Sequence, residues 1–223
     1  MTDERLTFSQ LLRTATADAH SSAESHAYIS SLMAGELDAH AMADLLLQTY
    51  PVYVALEAGL SRHAGSPLVA MLDDRALDRV AALESDLAWH FGPHWRARID
   101  SGEIGYTPAT LDYVTDLEDA GPEELVAHHY VRYLGDLSGG LAIRALVQRH
   151  YGLPDEALNF YSFPQIPKPK VYKDAYRAKL DLLPLDEEGR QRVLGHAVRA
   201  FALNEAVFAA LGHHVGRVVS LAG

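Results

Sequence analysis

Apolar residues along most of this chain recur at intervals of three and four. Phe8, Leu11, Leu12, Ala15 and Ala19 fall on one face of a first helix, because a 3.6-residue turn brings those positions together. A second helix spans about 39–63, with Leu45, Leu46, Thr49, Val52, Tyr53, Leu56 and Leu60 on one side. A third, over about 73–91, stops at Gly92-Pro93. Thr107-Pro108 supplies a cap and a proline at the first helical position, opening a helix to about 118. Gly121-Pro122 opens a long helix that ends near Tyr151-Gly152. The stretch 153–171, with Pro154, Pro164, Pro167 and Pro169, is irregular. The helical pattern returns over 172–182, is closed by Pro184, and resumes from about 186 to 219. There is no convincing strand-type alternation and no repeat or linker, so the reading is an all-α chain forming a single domain over 1–223.

The long helix holds the main anomaly. Gly135, Gly139 and Gly140 lie within about a turn and a half of one another, around Asp136 and Ser138. Each interior glycine costs roughly 1 kcal/mol against alanine, about 3 kcal/mol for the group. A helix that gives up this much to bare its backbone beside a carboxylate is shaped for a large, flat ligand. His128, Arg132, Asp136 and Gly140 form an i, i+4 ladder on one face. An exposed Arg132–Asp136 ion pair accounts for that spacing as well, and would contribute only ~0.3–0.5 kcal/mol.

Other polar residues stand where the pattern calls for apolar ones. Asn204 falls on the stripe of Leu194, Val198, Phe201, Phe208 and Leu211, and Tyr53 lies on the buried side of the second helix. A buried amide left unpaired costs roughly 1–3 kcal/mol. Either each belongs to a packing network, or Tyr53, Arg132, Asp136 and Asn204 form one network with water. Of the twelve histidines, His20 borders the apolar stripe of the first helix, with Glu24 four residues on and able to orient it. Carboxylate-bridged di-iron chemistry is disfavoured, because no glutamate is followed by histidine at i+3.

Composition narrows the classes further. The chain of 223 residues carries 19 basic and 30 acidic side chains, a net charge of −11, which argues against a nucleic-acid binder. It has no cysteine, which excludes disulfides and thiolate metal sites. No run of about 18 apolar residues exists, so no membrane anchor is expected. The start, Met1-Thr-Asp-Glu-Arg-Leu6, lacks the makings of a signal peptide, so a cytoplasmic location is expected. Lys168, Lys170, Lys173, Arg177 and Lys179 form a local basic cluster, opposed by Asp174. It reads as a solvated helix face or as a site for an anionic ligand or an acidic partner.

Taken together, these residues resemble the heme oxygenase family. Tyr133-Leu-Gly-Asp-Leu-Ser-Gly-Gly140 is similar to its distal-helix signature. In register with it are His20 and Glu24, Tyr53-Val-Ala-Leu-Glu57, Phe163-Pro164, Tyr172-Lys-Asp-Ala-Tyr-Arg177 and Phe201-Ala-Leu-Asn204. The resemblance runs from about Leu6 to Leu211. It implies a fold in which heme lies between a proximal helix and a glycine-kinked distal helix. His20 would be the axial iron ligand, Glu24 its partner, and Phe201 a cofactor contact. Gly135 and Gly139 would lie over the heme, with Gly140 as their flexible neighbour. Arg13, Tyr130, Lys173 and Arg177 would hold the propionates, where cations and hydroxyls suit carboxylates. Asp136 would hold a distal water, supported by Tyr53, Arg132 and Asn204. Leu141 and Arg13 depart from the residues common in the family, glutamine and lysine, and neither change removes a required group.

The resemblance implies heme as both substrate and cofactor, opened to biliverdin, carbon monoxide and ferrous iron. Dioxygen and electrons from a reductase or ferredoxin would be needed, with the α meso position favoured by Lys173 and Arg177. The alternative is a carrier or sensor that binds heme without opening it. Such a protein needs His20 and the propionate clamps but neither Asp136 nor Arg132. A monomer is the default oligomeric state.

Overall fold

The computed structural model describes residues 6–220, with side chains through residue 213. The start read above for signal-peptide character lies mostly outside those residues. Eleven α-helices and no strand are found among the described residues. They are α1 (Phe8–Ala15), α2 (Ala17–Glu24), α3 (Ala27–Ala34), α4 (His40–Arg62), α5 (Pro67–Leu72), α6 (Val80–Phe91), α7 (Trp95–Asp100), α8 (Pro108–Glu118), α9 (Pro122–Tyr151), α10 (Pro169–Asp181) and α11 (Glu187–Ser220).

The longer helices follow the sequence pattern closely. All seven residues assigned to the inner face of α4 are buried. Thr107 caps α8 by accepting from the Thr110 amide at 3.2 Å, with Pro108 in the first turn. α9 runs for 30 residues and is closed by Gly152 in the left-handed conformation (φ 65°). Its helical assignment continues unbroken through Gly135, Gly139 and Gly140, and none of these takes a positive φ.

Two segments differ from the expected elements, each because a side chain competes for the backbone. The first helix is divided at Thr16, whose hydroxyl donates to the Leu12 carbonyl at 2.7 Å, so that α1 and α2 diverge there. The segment expected as one helix over 73–91 becomes a 3₁₀ turn (Arg75–Leu77) followed by α6. Asp74 caps that turn through the Ala76 amide at 3.0 Å. Glu57 of α4 then accepts from the amides of Arg79 (2.6 Å) and Val80 (3.1 Å), fixing where α6 begins.

α9 and α11 lie side by side and run in the same direction. The pairs Arg192–Glu123, His196–Glu124 and Arg132–Asn204 advance together along both helices. Tyr53, Tyr113 and Tyr133 are fully buried in the core around α4, α8 and α9. A second apolar cluster joins Phe8 and Leu12 of α1 to α9, α10 and α11. Between these helices an open cleft remains.

Candidate active site

The cleft has a volume of ≈ 360 Å³ and lies between α1–α2 on one wall and α9 on the other. Arg13, Thr16, Ala17 and His20 form the first wall, and Phe201 of α11 closes it. None of the eight residues of α2 is fully buried; Ala19 and Ala23 rest against the second apolar cluster, while Ala17 and His20 line the cleft. The His20 side chain is 48% exposed, and its Nδ1 lies 3.4 Å from Glu24 Oε2. Phe201 meets the His20 ring edge-on, at 5.8 Å between centroids and 71° between planes. With Nδ1 turned to the carboxylate and one side braced by Phe201, Nε2 is the nitrogen left for a metal.

The facing wall is built from Tyr130, Val131, Leu134, Gly135 and Ser138 of α9. A Cβ placed on Gly135 would meet no atom within 4 Å. The backbone is therefore bare toward open space, a cradle that a side chain would fill. At Gly139 the nearest neighbour would be Ile143 Cδ1 at 3.9 Å. Gly140 differs: its Cβ would stand 3.2 Å from Tyr161 Cδ1. Gly140 is buried against the segment after α9, so the missing side chain there serves helix-to-segment packing. The three glycines thus answer two separate steric demands.

Cations gather at the rim. Lys173 Nζ donates to Ser138 Oγ at 3.0 Å, laying α10 against the glycine turn. Arg177 lines the cleft while donating to Asp174 Oδ1 at 2.9 Å. Burial lowers the Lys173 pKa, and neighbouring Arg177 adds to the effect. Burial raises the Tyr130 phenol, opposed by a hydrogen bond from Thr16 and by the charges of Arg177 and Arg13. Arg13, Tyr130, Lys173 and Arg177 therefore do converge on one edge, where they suit a ligand with carboxylates.

A polar network lies behind the α9 wall. Tyr53 Oη donates to Asp136 Oδ2 and Arg132 Nη1 donates to Asn204 Oδ1, both in very short contacts. The Arg132 guanidinium sits 4.9 Å from the centre of the Tyr53 ring, a cation–π contact. Burial raises the Asp136 pKa, although Arg132 and the Tyr53 hydrogen bond pull it down. Burial works against the Arg132 charge, but Tyr53 and Asp136 outweigh it and hold the guanidinium protonated. Tyr53, Arg132, Asp136 and Asn204 are thus one assembly drawn from α4, α9 and α11. Asp136 lines a neighbouring cavity of ≈ 210 Å³, shared with Leu137, Leu141, Tyr161 and Phe163.

Sequence reasoning missed several members of this assembly. Tyr113 of α8 is buried beside it, with its hydroxyl 3.3 Å from His128 Nδ1. His128 Nε2 in turn lies 3.1 Å from Asp116 Oδ2, and Arg199 Nε donates to Asp116 Oδ1 at 2.5 Å. His128 stands on the same i, i+4 ladder as Arg132, a signal that was present. Buried Arg79 gave none. Its guanidinium donates to the carbonyls of Ser162 (2.5 Å) and Phe160 (3.3 Å) and stacks over Phe163 at 3.8 Å. Arg79 thereby clamps the segment that carries Tyr161 onto Gly140.

Known proteins share this chain's sequence pattern and fold. The sequence profile of the heme oxygenase family matches residues 6–210. Heme oxygenase 1 of Rattus norvegicus is 38% identical over 206 residues, covering 90% of this chain and 70% of the rat protein. Heme oxygenase 1 of Synechocystis is 33% identical over 197 residues, covering 88% of this chain and 81% of the relative. The crystal structure of the Synechocystis protein in complex with heme superposes with a TM-score of 0.89 at 30% identity, covering 97% of each chain. Heme oxygenase from Leptospira interrogans gives 0.83 at 34% identity, covering 91% of this chain and 98% of the other. A profile over residues 6–210, relatives 33–38% identical over about nine-tenths of the chain and a matching helical fold lead to one assignment: this chain belongs to the heme oxygenase family.

Proposed function

We propose that this protein, acting as one domain, binds heme in the cleft between α2 and α9 and opens its ring to biliverdin, carbon monoxide and ferrous iron. The observation that carries the reading is the opposition of the two walls. A histidine braced by Glu24 and Phe201 faces a helix whose backbone is bare at Gly135. Bound heme supplies both the carbon ring that is cleaved and the iron at which dioxygen is reduced.

The chain's own residues do the rest. His20 would offer Nε2 to the heme iron while Glu24 holds the imidazole. Arg13, Tyr130, Lys173 and Arg177 take the carboxylates, with Arg177 exchanging its exposed bond to Asp174 for one to the ligand. Their fixed positions would set how a bound ring is rotated, and in this reading would favour the α meso edge. Gly135 and Gly139 let the macrocycle approach the helix axis. Asp136 accepts a hydrogen bond from Tyr53 at Oδ2, which would leave Oδ1 to hold a water as proton donor at the reaction site. Arg132 and Asn204 keep that carboxylate in place.

Electrons come from outside the chain. Lys168, Lys170 and Lys179 are exposed, whereas Lys173 and Arg177 turn partly toward the cleft. The exposed three form a landing surface for an acidic ferredoxin or a reductase, and attraction of this kind weakens with salt. No helix among the described residues is long and apolar enough to cross a membrane. We place the enzyme in the cytoplasm, as a monomer.

The test is hemin titration followed by reductant and oxygen, comparing the wild type with Asp136→Ala. Both should develop a Soret band, and only the wild type should turn it into biliverdin. Biliverdin at wild-type yield from Asp136→Ala would refute the role given to that carboxylate. A Soret band that survives turnover in the wild type would reduce the protein to a carrier.

A further inference from the structure

Two buried groups stand outside the chemistry described so far. Tyr176 of α10 is 2% exposed and His129 of α9 is 1% exposed. Tyr176 Oη lies 2.7 Å from His129 Nδ1, and the two rings stack at 5.5 Å with 10° between planes; with the imidazole neutral and its proton on Nε2, the phenol is the donor. Burial, reinforced by the charge of Lys179, pushes the His129 pKa down to about 3, so the imidazole is neutral at physiological pH. A neutral imidazole can receive the phenolic proton.

The pair connects to the distal network through rings. His129 lies 4.5 Å from Tyr133 between centroids, and Tyr133 lies 5.5 Å from Tyr53, whose hydroxyl is bound to Asp136. Four aromatic rings therefore lead from the Asp136 carboxylate to the interior face of α10. Their hydroxyls differ in one decisive respect. Tyr133 Oη is buried with no hydrogen-bond partner, whereas Tyr176 has a base at 2.7 Å. A phenol that loses an electron becomes a strong acid, and the oxidised form is stabilised where a base receives the proton. Tyr133 can pass an electron but has no protein base within hydrogen-bond distance; Tyr176 has one and can hold the oxidised state.

We propose that Tyr176 and His129 form a redox-active pair that takes up an oxidising equivalent stranded at the heme site, relayed through Tyr53 and Tyr133. The inference rests on the heme-binding reading above, and its oxidant is hydrogen peroxide, the product of uncoupled oxygen reduction. Peroxide takes two electrons and two protons from solvent, and both of its oxygens end as water once the heme has been re-reduced. One electron comes from the heme and one, through the ring path, from Tyr176. The Tyr176 O–H bond breaks as its proton moves to His129 Nδ1, leaving a neutral phenoxyl radical beside an imidazolium. The external electron donor returns two electrons, one to the heme and one to the phenoxyl, and His129 returns its proton to Tyr176. The oxidant is thereby drawn away from Tyr53 and Asp136 to a site beneath the cationic helix, where the donor lands.

The experiment is electron paramagnetic resonance on hemin-loaded protein mixed with hydrogen peroxide and rapidly frozen. The expected signal is a phenoxyl radical that narrows when tyrosine is ring-deuterated. It should also carry an exchangeable proton coupling, lost in deuterium oxide, from the His129 hydrogen bond. Tyr176→Phe should lose most of this signal. Flash oxidation of the heme-free protein by a photoexcited ruthenium complex should give the same radical, which separates failure of the pair from failure of heme binding. A phenoxyl signal lacking the exchangeable coupling in the wild type would overturn the proposal. So would an undiminished signal in Tyr176→Phe.

Discussion

Replacing Gly135 by alanine should raise stability and lower ligand affinity in the same molecule. Gly135 lies inside α9 with a negative φ, and an added Cβ would meet nothing within 4 Å. Alanine there introduces no strain and recovers about 1 kcal/mol of helix propensity. For a chain of this length, that corresponds to a rise of about 2–4 °C in Tm of the heme-free protein. The same methyl projects toward the cleft, where the face of the heme must rest. Forcing one extra carbon into a packed contact costs about 1–3 kcal/mol, or roughly 5- to 150-fold in hemin Kd. Gly140→Ala is the internal control, because its Cβ would press on Tyr161 at 3.2 Å. That variant should gain little or no stability and keep its hemin affinity. Thermal unfolding by circular dichroism and Soret titration measure both quantities. If Gly135→Ala unfolds at a lower temperature, or binds hemin as tightly as the wild type, the bared-backbone argument is wrong.

Three further expectations follow from other parts of the fold. His129 has a folded pKa of about 3 against 6.5 when unfolded, so the unfolded chain takes up the proton first. Stability should be fully present above about pH 6.5 and fall by on the order of 5 kcal/mol as pH drops toward 3, a slope that His129→Leu should remove in urea titrations across that range. Glu57→Ala should destabilise the protein by about 2–3 kcal/mol, since it strips a charged acceptor from the amides of Arg79 and Val80; amide exchange should quicken first at the start of α6. Reversing Lys168, Lys170 and Lys179 to glutamate should slow reduction by a ferredoxin and abolish its salt dependence, while hemin affinity stays at the wild-type value.

The helical frame was largely legible from the chain because its long elements carry their own signals. Periodic apolar faces, Thr107-Pro108, Gly121-Pro122 and Gly152 mark starts and stops that need no tertiary information. The short helices α3, α5 and α7 were invisible for the opposite reason. α3 is eight residues long, capped by the His26 ring accepting from the Tyr28 amide and closed by Gly35 at φ 75°, and buried Tyr28 and Leu32 anchor it to its neighbours. The break at the head of α6 was equally hidden, because its cap comes from Glu57 on another helix.

The site divides along the same line. The i, i+4 spacing of Arg132 and Asp136 was visible, but their actual partners, Asn204 and Tyr53, come from α11 and α4. Gly135 and Gly140 look alike in sequence and differ only in what faces them, open cleft in one case and Tyr161 in the other. The family resemblance supplied roles that spacing alone left open. It offered no hint of the Tyr176–His129 pair, whose members are 47 residues apart and meet only when α10 packs on α9.

The most direct measurement of the central claim is the yield of carbon monoxide and biliverdin per heme consumed, with catalase present to remove free peroxide. The arrangement of His20, the bare turn at Gly135 and the Asp136 network predicts one molecule of each per heme under oxygen and an electron donor. Heme that persists, or that bleaches without releasing carbon monoxide, would contradict it.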